Sequence, residues 1–279
     1  MLNIIKFFIL VLFLSTSLYA NEAKVVNFLK KGIGANPKVI SLDVAILGSV
    51  ELDSPKNWKA YSIMLNAVTL VKGQKKKVSK RAIYFAGDGK ITSELFDLDT
   101  GNKLNNNFAP AFNEQYYDDE HLISGSKNSK HKIVLFTDPL CPSCRKITPE
   151  LMKYTKKFPK TFAVYYFHTP MDIIHPAAVP VVLASIASEL KGNKDTLLGL
   201  YNIDIGVQET NVQKILDAYN KTLNENIHLA DISTNAVKKI FNYDGDVAKK
   251  HFVNSTPVIY IDGKKDHTKL AYKQLKTVE

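Results

Sequence analysis

The chain has 279 residues, a formal net charge of +10 and an apolar fraction of 45%. This length and apolar content allow one large domain or two ordinary ones, and they exclude a disordered chain. Only Arg81 and Arg145 among the 37 basic residues are arginine, whereas recognition of phosphates and base edges favours arginine. The charge therefore indicates a solvated, lysine-rich surface, and we expect no nucleic acid partner.

Residues 1–20, MLNIIKFFILVLFLSTSLYA, contain one lysine, then an apolar run, then small and polar residues ending at Ala20. This is the order of regions in a secretory signal peptide, and the apolar run is too short for a comfortable membrane span. We expect cleavage after Ala20. Retention as an anchor is the alternative, because Leu18 is large for its position before the cleavage site. The mature chain is expected in an oxidising, extracytoplasmic compartment.

Residues 21–105 are expected to form a small antiparallel sheet with one short helix. The helix is predicted over 24–31 and the strands over 39–46, 59–71 and 81–98, the last interrupted by the two-residue turn Asp88-Gly89. The lysine-rich run 72–81 is interpreted as a hairpin loop. Such a unit buries little apolar surface by itself, so a partner copy would stabilise it.

Residues 106–130 are polar and turn-rich at both ends, which predicts a connector with a linking helix from about Ala109 to Leu122. The rest of the chain, 131–279, alternates strands and helices, which favours an α/β sheet. Its predicted elements are a strand over 132–138, a helix from Cys141, a strand over 161–168, helices within about 174–250, a strand over 257–265 and a closing helix over 267–278.

Cys141 and Cys144 are the two cysteines of the chain, and three interpretations apply to them. A disulfide across two intervening residues closes a very short loop and restrains the unfolded chain little. A structural zinc site needs four ligands, and His168 and His175 are seven residues apart, outside the usual spacing. A redox pair is the interpretation that the local sequence favours, and no metal is expected.

The cysteine pair follows a buried strand and opens a helix, with Pro142 in the first helical turn, where its missing N–H does no harm. At this position Cys141 faces unpaired backbone N–H groups and the positive end of the helix dipole, which favour the thiolate. Cys144, one turn further on, is more shielded. Cys141 is therefore predicted to be the attacking thiol and Cys144 the resolving thiol. We expect Arg145 to be an exposed helix residue.

The segment FTDPLCPSCRKITPEL, which includes Pro149, resembles the active-site segment of the thioredoxin superfamily. A second segment, FVNSTPVIYIDG (252–263), resembles the cis-proline strand of the same fold. The resemblance implies a cis bond between Thr256 and Pro257, packed against the cysteines and contacting an extended substrate.

The order of signal, small β domain, linker and thioredoxin fold resembles the DsbC/DsbG-like periplasmic thiol-disulfide interchange proteins, and the length of the segment 174–250 resembles the helical insertion of Dsb proteins. The resemblance implies an α+β chain with a cystatin-like N-terminal dimerisation domain, a linker helix, a V-shaped homodimer and no cofactor. It implies catalysis by Cys141 and Cys144 around the dipeptide Pro142-Ser143. The implied partners are unfolded or misfolded secreted proteins and a membrane redox protein of the DsbD or DsbB type.

Two departures leave the redox direction open. The proline at position 142 resembles both DsbG and the oxidase DsbA, and Ser143 is unusual at its position in the DsbC/DsbG branch. Leu135 stands where thioredoxin has a buried acid, which disfavours a dedicated reductase. An isomerase is expected and a DsbA-like oxidase is the alternative. A periplasmic chaperone and a copper-binding thiol protein are alternatives from other classes.

Overall fold

The computed structural model describes residues 21–278, except for 53, 100, 102 and 105–108. The expected signal peptide, 1–20, lies outside these described residues. The chain divides into two compact units, Met1–Phe108 and Ala109–Glu279. Within the described part of the chain, every helix is too short or too polar to cross a membrane.

The first unit is a four-stranded antiparallel sheet in the order β1-β2-β3-β4, with one helix, α1 (residues 21–34). The strands are β1 (Val39–Glu51), β2 (Trp58–Val71), β3 (Gln74–Gly87) and β4 (Lys90–Thr92). The predicted Asp88-Gly89 turn is confirmed, since both residues have positive φ and Gly87 pairs with Lys90 across it.

The prediction of a hairpin loop over 72–81 is wrong. The turn between β2 and β3 is only Lys72-Gly73, both with positive φ, and Val71 pairs with Gln74 beside it. The lysines that follow belong to β3 and are exposed. Because lysine can extend its charged end into water from a strand, a run of lysines did not prevent strand pairing there.

The core of the first unit is small. Val25 and Leu29 from α1 pack with Val44, Tyr61 and Ile63 from the sheet. Several large apolar side chains of this unit stay exposed: Phe28, Ile40, Leu70, Val71, Val78, Phe96 and Leu98. This unit therefore leaves apolar surface in contact with water.

The second unit is built on a five-stranded mixed sheet in the order β5-β7-β6-β8-β9. Its strands are β5 (Leu122–Ser124), β6 (His131–Thr137), β7 (Phe162–His168), β8 (Val258–Ile261) and β9 (Lys264–Lys265). Its helices are α2 (Pro142–Thr155), α3 (Ala178–Leu190), α4 (Val212–Leu223), α5 (Leu229–Ile232) and α6 (Asn235–Lys250), with 3-10 segments at Glu114–Tyr116, Lys194–Asn202 and Ala271–Gln274. Among these five strands, β6 and β7 are the only parallel pair.

Both faces of this sheet are covered, because the central strands carry consecutive buried apolar side chains, as over 133–136 of β6. Along β6, Ile133 and Leu135 belong to the cluster that includes Cys144 and α3. Val134 and Phe136 point to the opposite face and pack with residues of α6. The two-residue period of a strand thus gives each face its own core. The fold is therefore mixed α+β, with a thioredoxin-like second unit.

The connector differs from its prediction. Between Ala109 and Leu122, where a linking helix is expected, the structure has only the 3-10 turn Glu114–Tyr116 and then β5. Phe112 is buried, stacks on His251 at 4.6 Å between ring centroids and donates its backbone N–H to Gly263 O. Aromatic packing against the sheet therefore replaces a helix, and this segment belongs to the second unit.

The closing segment also differs from its prediction as a helix, since residues 267–278 form only the 3-10 turn Ala271–Gln274. Asp266 holds this segment by accepting hydrogen bonds from the backbone N–H groups of Thr268 and Ala271. A side-chain acceptor for backbone donors competes with regular helix formation.

A substitution at Gly125, which follows β5, would test how tightly this sheet is packed. It has positive φ, and a Cβ atom there would lie 2.0 Å from Phe162 O. Gly125→Ala is expected to lower the free energy of unfolding by about 1–3 kcal/mol more than Gly192→Ala, measured by urea unfolding. Gly192 is the matched control, because it also has positive φ but no atom near its Cβ position. Equal losses would show that the β5 edge moves to admit a methyl group.

Candidate active site

Strand β6 ends at Thr137, and the next four residues lead directly into α2. Cys141 is the N-cap of this helix, with extended backbone angles, and Pro142 is at the first helical position. Cys141 is half-buried, Pro142 and Ser143 are exposed, and Cys144 is fully buried. Both thiols are free. The predicted placement of the pair at a helix N-terminus is confirmed.

The pKa of Cys141 is lowered to about 5. The largest cause is a hydrogen bond from the Cys144 thiol, which outweighs the opposing effect of partial burial. The backbone N–H groups of Cys144 and Ser143 donate to the same sulfur and lower the pKa further. These are first-turn N–H groups, which lack partners within the helix, so the helix end itself stabilises the thiolate.

The pKa of Cys144 is raised, first by burial and second by the neighbouring Cys141. Hydrogen bonds from the Thr137 hydroxyl and the Asp138 backbone oppose this rise without cancelling it. One turn of helix therefore separates an ionised, accessible sulfur from a protonated, enclosed one.

Thr256 and Pro257 lie beside this pair, and the peptide bond between them is cis. Cys141 Sγ is 3.5 Å from Thr256 O, across 115 residues of chain. The Thr256 hydroxyl is buried and has no hydrogen-bond partner among the described residues. Its proton is therefore available to a sulfur anion, and it lowers the pKa of both cysteines.

Asp138 was not predicted as a site residue, although it directly follows a buried strand and precedes the cysteines. Its side chain is fully buried and accepts hydrogen bonds from the Leu140 and Met171 backbone N–H groups at 2.7 and 2.9 Å. It also pairs with His175 Nδ1 at 2.8 Å. Asp138 thereby fixes the loop before Cys141 to the segment that follows β7.

Arg145 differs from its prediction as an exposed residue. It is half-buried, and its guanidinium donates to Pro139 O at 3.0 Å and Ile203 O at 2.6 Å. It therefore ties the loop before Cys141 to the segment after the long 3-10 helix.

Ile173 and Ile174 are further residues near the site that the sequence did not predict. Both side chains are exposed, in the segment that Met171 anchors to Asp138.

The site is a dithiol site on a thioredoxin-like sheet. It consists of a half-exposed thiol of low pKa, a buried thiol one turn later and an adjacent cis-proline loop. The thioredoxin family model matches residues 117–278, more than half of the chain. The chain belongs to the thioredoxin family.

Three solved structures illustrate what the chain is similar to. ScsC of Proteus mirabilis in a transitional conformation is 22% identical, with a TM-score of 0.45, covering 58% of this chain and 72% of that one. Oxidised BdbD of Bacillus subtilis is 18% identical, with a TM-score of 0.45 and coverages of 60% and 93%. The thiol-disulfide exchange protein α-DsbA2 of Wolbachia pipientis is 17% identical, with a TM-score of 0.45 and coverages of 58% and 88%. No curated protein matches the chain.

The acidity of Cys141 can be measured by its alkylation rate against pH. A single midpoint near the pKa of about 5 is expected, below the value of about 8.5 for a free cysteine. Cys144→Ala removes the largest stabilising hydrogen bond and is expected to raise the midpoint most. Thr256→Val is expected to raise it less.

The urea-unfolded protein is the control and should alkylate with the free-cysteine midpoint. A folded midpoint at or above that value would show that the helix N-terminus and the Cys144 thiol do not stabilise the Cys141 thiolate.

Proposed function

We propose that this protein is a thiol-disulfide oxidoreductase of the Dsb type, acting on disulfides of extracytoplasmic proteins. The observation that carries the proposal is the placement of the two sulfurs, because Cys141 is half-buried at the N-cap of α2 and Cys144 is fully buried one turn later. A thiolate at pH 7 is a nucleophile, whereas the neighbouring buried thiol cannot compete with it for a substrate disulfide. Family membership and the Thr256 carbonyl beside Cys141 support the same chemistry.

The reaction is thiol-disulfide exchange. The Cys141 thiolate attacks one sulfur of a substrate disulfide, a bond forms between them, and the other substrate sulfur leaves as a thiolate with the electron pair. Either Cys144 or a substrate thiolate then attacks the mixed disulfide. Attack by Cys144 oxidises the enzyme by two electrons and reduces the substrate. Attack by a substrate thiolate returns the enzyme unchanged, which is isomerisation.

The isomerase mode in a homodimer is the first candidate. The exposed apolar side chains of the first unit support it, because Ile40, Leu70 and Val71 lie at the same end of the sheet, where Leu70 N donates a hydrogen bond to Lys38 O. β1 is also a 13-residue edge strand, and long uncovered edges favour pairing with another chain. A second copy would cover this apolar surface by a two-fold contact.

The oxidase mode is the second candidate, and the low pKa of Cys141 favours it. A sulfur that is stable as a thiolate is a good leaving group and makes the enzyme disulfide more oxidising. In this mode a membrane oxidase of the DsbB type would reoxidise the pair. In the isomerase mode a reductant of the DsbD type would keep it reduced.

Unfolded or misfolded secreted proteins are the proposed substrates, and the periplasm is the proposed location, reached through the signal peptide 1–20. Thr256 O would accept a backbone hydrogen bond from an extended chain beside Cys141. The exposed Ile173 and Ile174 side chains would add apolar contact, which suits chains that have not buried their own core.

Two single substitutions separate the two modes. Cys141→Ala is expected to abolish both disulfide formation in a reduced protein and rearrangement in a protein with scrambled disulfides. Cys144→Ala is expected to abolish disulfide formation but to retain part of the rearrangement, because a substrate thiolate can resolve the mixed disulfide. Activity is followed by recovery of the native substrate. Full activity of Cys141→Ala would instead identify a chaperone.

The dimer is tested by light scattering on the mature chain. A dimer is expected at about micromolar concentration, the range of typical specific association, and Val71→Lys is expected to dissociate it. Leu229→Lys is the matched control, since Leu229 is an exposed apolar residue of the second unit. A monomeric mature chain would contradict the dimer and favour the oxidase mode.

A further inference from the structure

We propose that Asp118, His121 and Asp244 form a pH-dependent latch, which fastens the end of the connector and β5 to α6 at mildly acidic pH and releases them as the pH rises. His121 stacks on Phe167, which belongs to the core on the sheet face opposite to Cys144. The latch is therefore separate from the thiol chemistry.

The three side chains are in direct contact. His121 Nδ1 lies 2.6 Å from Asp118 Oδ1, and His121 Nε2 lies 2.8 Å from Asp244 Oδ1. His121 and Asp244 are both buried, whereas Asp118 keeps 33% of its side chain exposed. Both nitrogens of one buried ring thus face a carboxylate oxygen, one from the connector and one from the interior of a helix.

This geometry sets the number of protons that the latch holds. Each of the two short contacts needs a proton between nitrogen and oxygen, but a neutral imidazole has only one N–H. Asp118 Oδ1 also accepts the backbone N–H of His121 at 2.9 Å, and Asp244 Oδ2 accepts the backbone N–H of His168 at 2.8 Å. Both carboxylates are therefore arranged as acceptors. The closed latch holds a second proton, which the imidazole carries because it is a stronger base than a carboxylate.

Three elements pack around the His121 ring. The connector contributes Asp118, and α6 contributes Asp244 and Tyr243, whose ring lies 5.4 Å from that of His121. β7 contributes the uncharged ring of Phe167, stacked at 4.2 Å with an interplanar angle of 10°. Because the face of an aromatic ring attracts a cation, this stacking also favours the imidazolium.

The direction of the pH dependence follows from this environment. Burial lowers the pKa of His121, but the hydrogen bonds and charges of Asp244 and Asp118 outweigh burial and hold the pKa above its ordinary value of 6.5. The closed latch therefore binds the proton more tightly than a solvated histidine does. The stabilisation is complete below about pH 6.5, the pKa of a solvated histidine, and is lost as the pH rises through the pKa of the closed latch.

β5 is the element that this loss would free. It has only three residues, Leu122–Ser124, it is an edge strand, and its pairing with β7 is irregular. Beside it, the Tyr166 N–H donates to His121 O at 2.9 Å. A short edge strand has few hydrogen bonds of its own to resist local opening. The contacts of His121 with both carboxylates therefore decide whether this end of the connector stays attached.

Amide hydrogen exchange of the full mature chain between about pH 6 and about pH 9 tests the latch. The protection factor of the Tyr166 N–H is expected to fall by up to about tenfold per pH unit above about pH 6.5, and to level off once His121 has lost its proton. The Asp266 N–H, which donates to Ile259 O at 2.8 Å on the other side of the sheet, is the internal reference and should keep its protection.

Two neighbouring aspartates provide a matched pair of variants. Asp118→Asn removes one of the two carboxylates that stabilise the imidazolium, so the fall in Tyr166 protection should be smaller and end at a lower pH. Asp119→Asn also removes one carboxylate, but Asp119 is exposed and bonds Lys127 at 2.8 Å, so it should keep the unsubstituted profile. A general loss of packing in Asp118→Asn would lower protection equally at every pH and leave the slope unchanged.

Identical pH profiles of Asp118→Asn and Asp119→Asn would overturn the latch. An equal fall in protection at the Asp266 N–H would also overturn it, because the change would then be global and no local release would occur. Neither result bears on the proposed function, which the cysteine substitutions test separately.

Discussion

Cys141 and Cys144 lie one helical turn apart but in different surroundings, and the chemistry of the site depends on this difference. Removing Cys144 from water opposes its ionisation, and its retained proton then stabilises the charge on Cys141. Burial of one sulfur is therefore part of the cause of the other's acidity. A site with both thiols exposed would have two similar nucleophiles and no assigned resolving group.

That burial is produced by the sheet and the helices of the second unit together. The start of α2 lies against the end of β6, so Cys144 joins a core that includes Leu135, Leu140 and Val181. The loop before Cys141 is held from three sides, by Asp138, by Arg145 and by the cis-proline loop. Exchange chemistry requires that the two sulfurs meet each other and a substrate sulfur in line, and a fixed loop favours that geometry.

The segments between β7 and β8 contribute hydrogen-bond partners to the active site. They supply His175 to Asp138, Ile203 O to Arg145 and the Tyr201 hydroxyl to Thr137. Each of these contacts reaches a residue within seven positions of a cysteine. The insertion therefore contributes to the surroundings of the site.

Local sequence determined the parts of this protein that depend on near neighbours. A buried strand followed by cysteine and proline predicts a helix N-cap, and the contribution of the first-turn backbone N–H groups to the acidity of Cys141 follows from that position. The strand periods of β6 and β7 and the Asp88-Gly89 turn have the same local origin. The cis Thr256–Pro257 bond came from a family resemblance, not from local physics.

Tertiary structure decided what distant segments contribute. Phe112 has no local reason to avoid a helix, and it joins the second unit because His251 and the sheet offer it an aromatic surface. The charge of the lysines in β3 predicts a loop, and only pairing with β2 makes this segment a strand. Tyr201 and His175 carry no signal of a site in sequence. Their partners are 64 and 37 residues away, and only the packing of the helices onto the sheet brings those buried polar groups within hydrogen-bond distance.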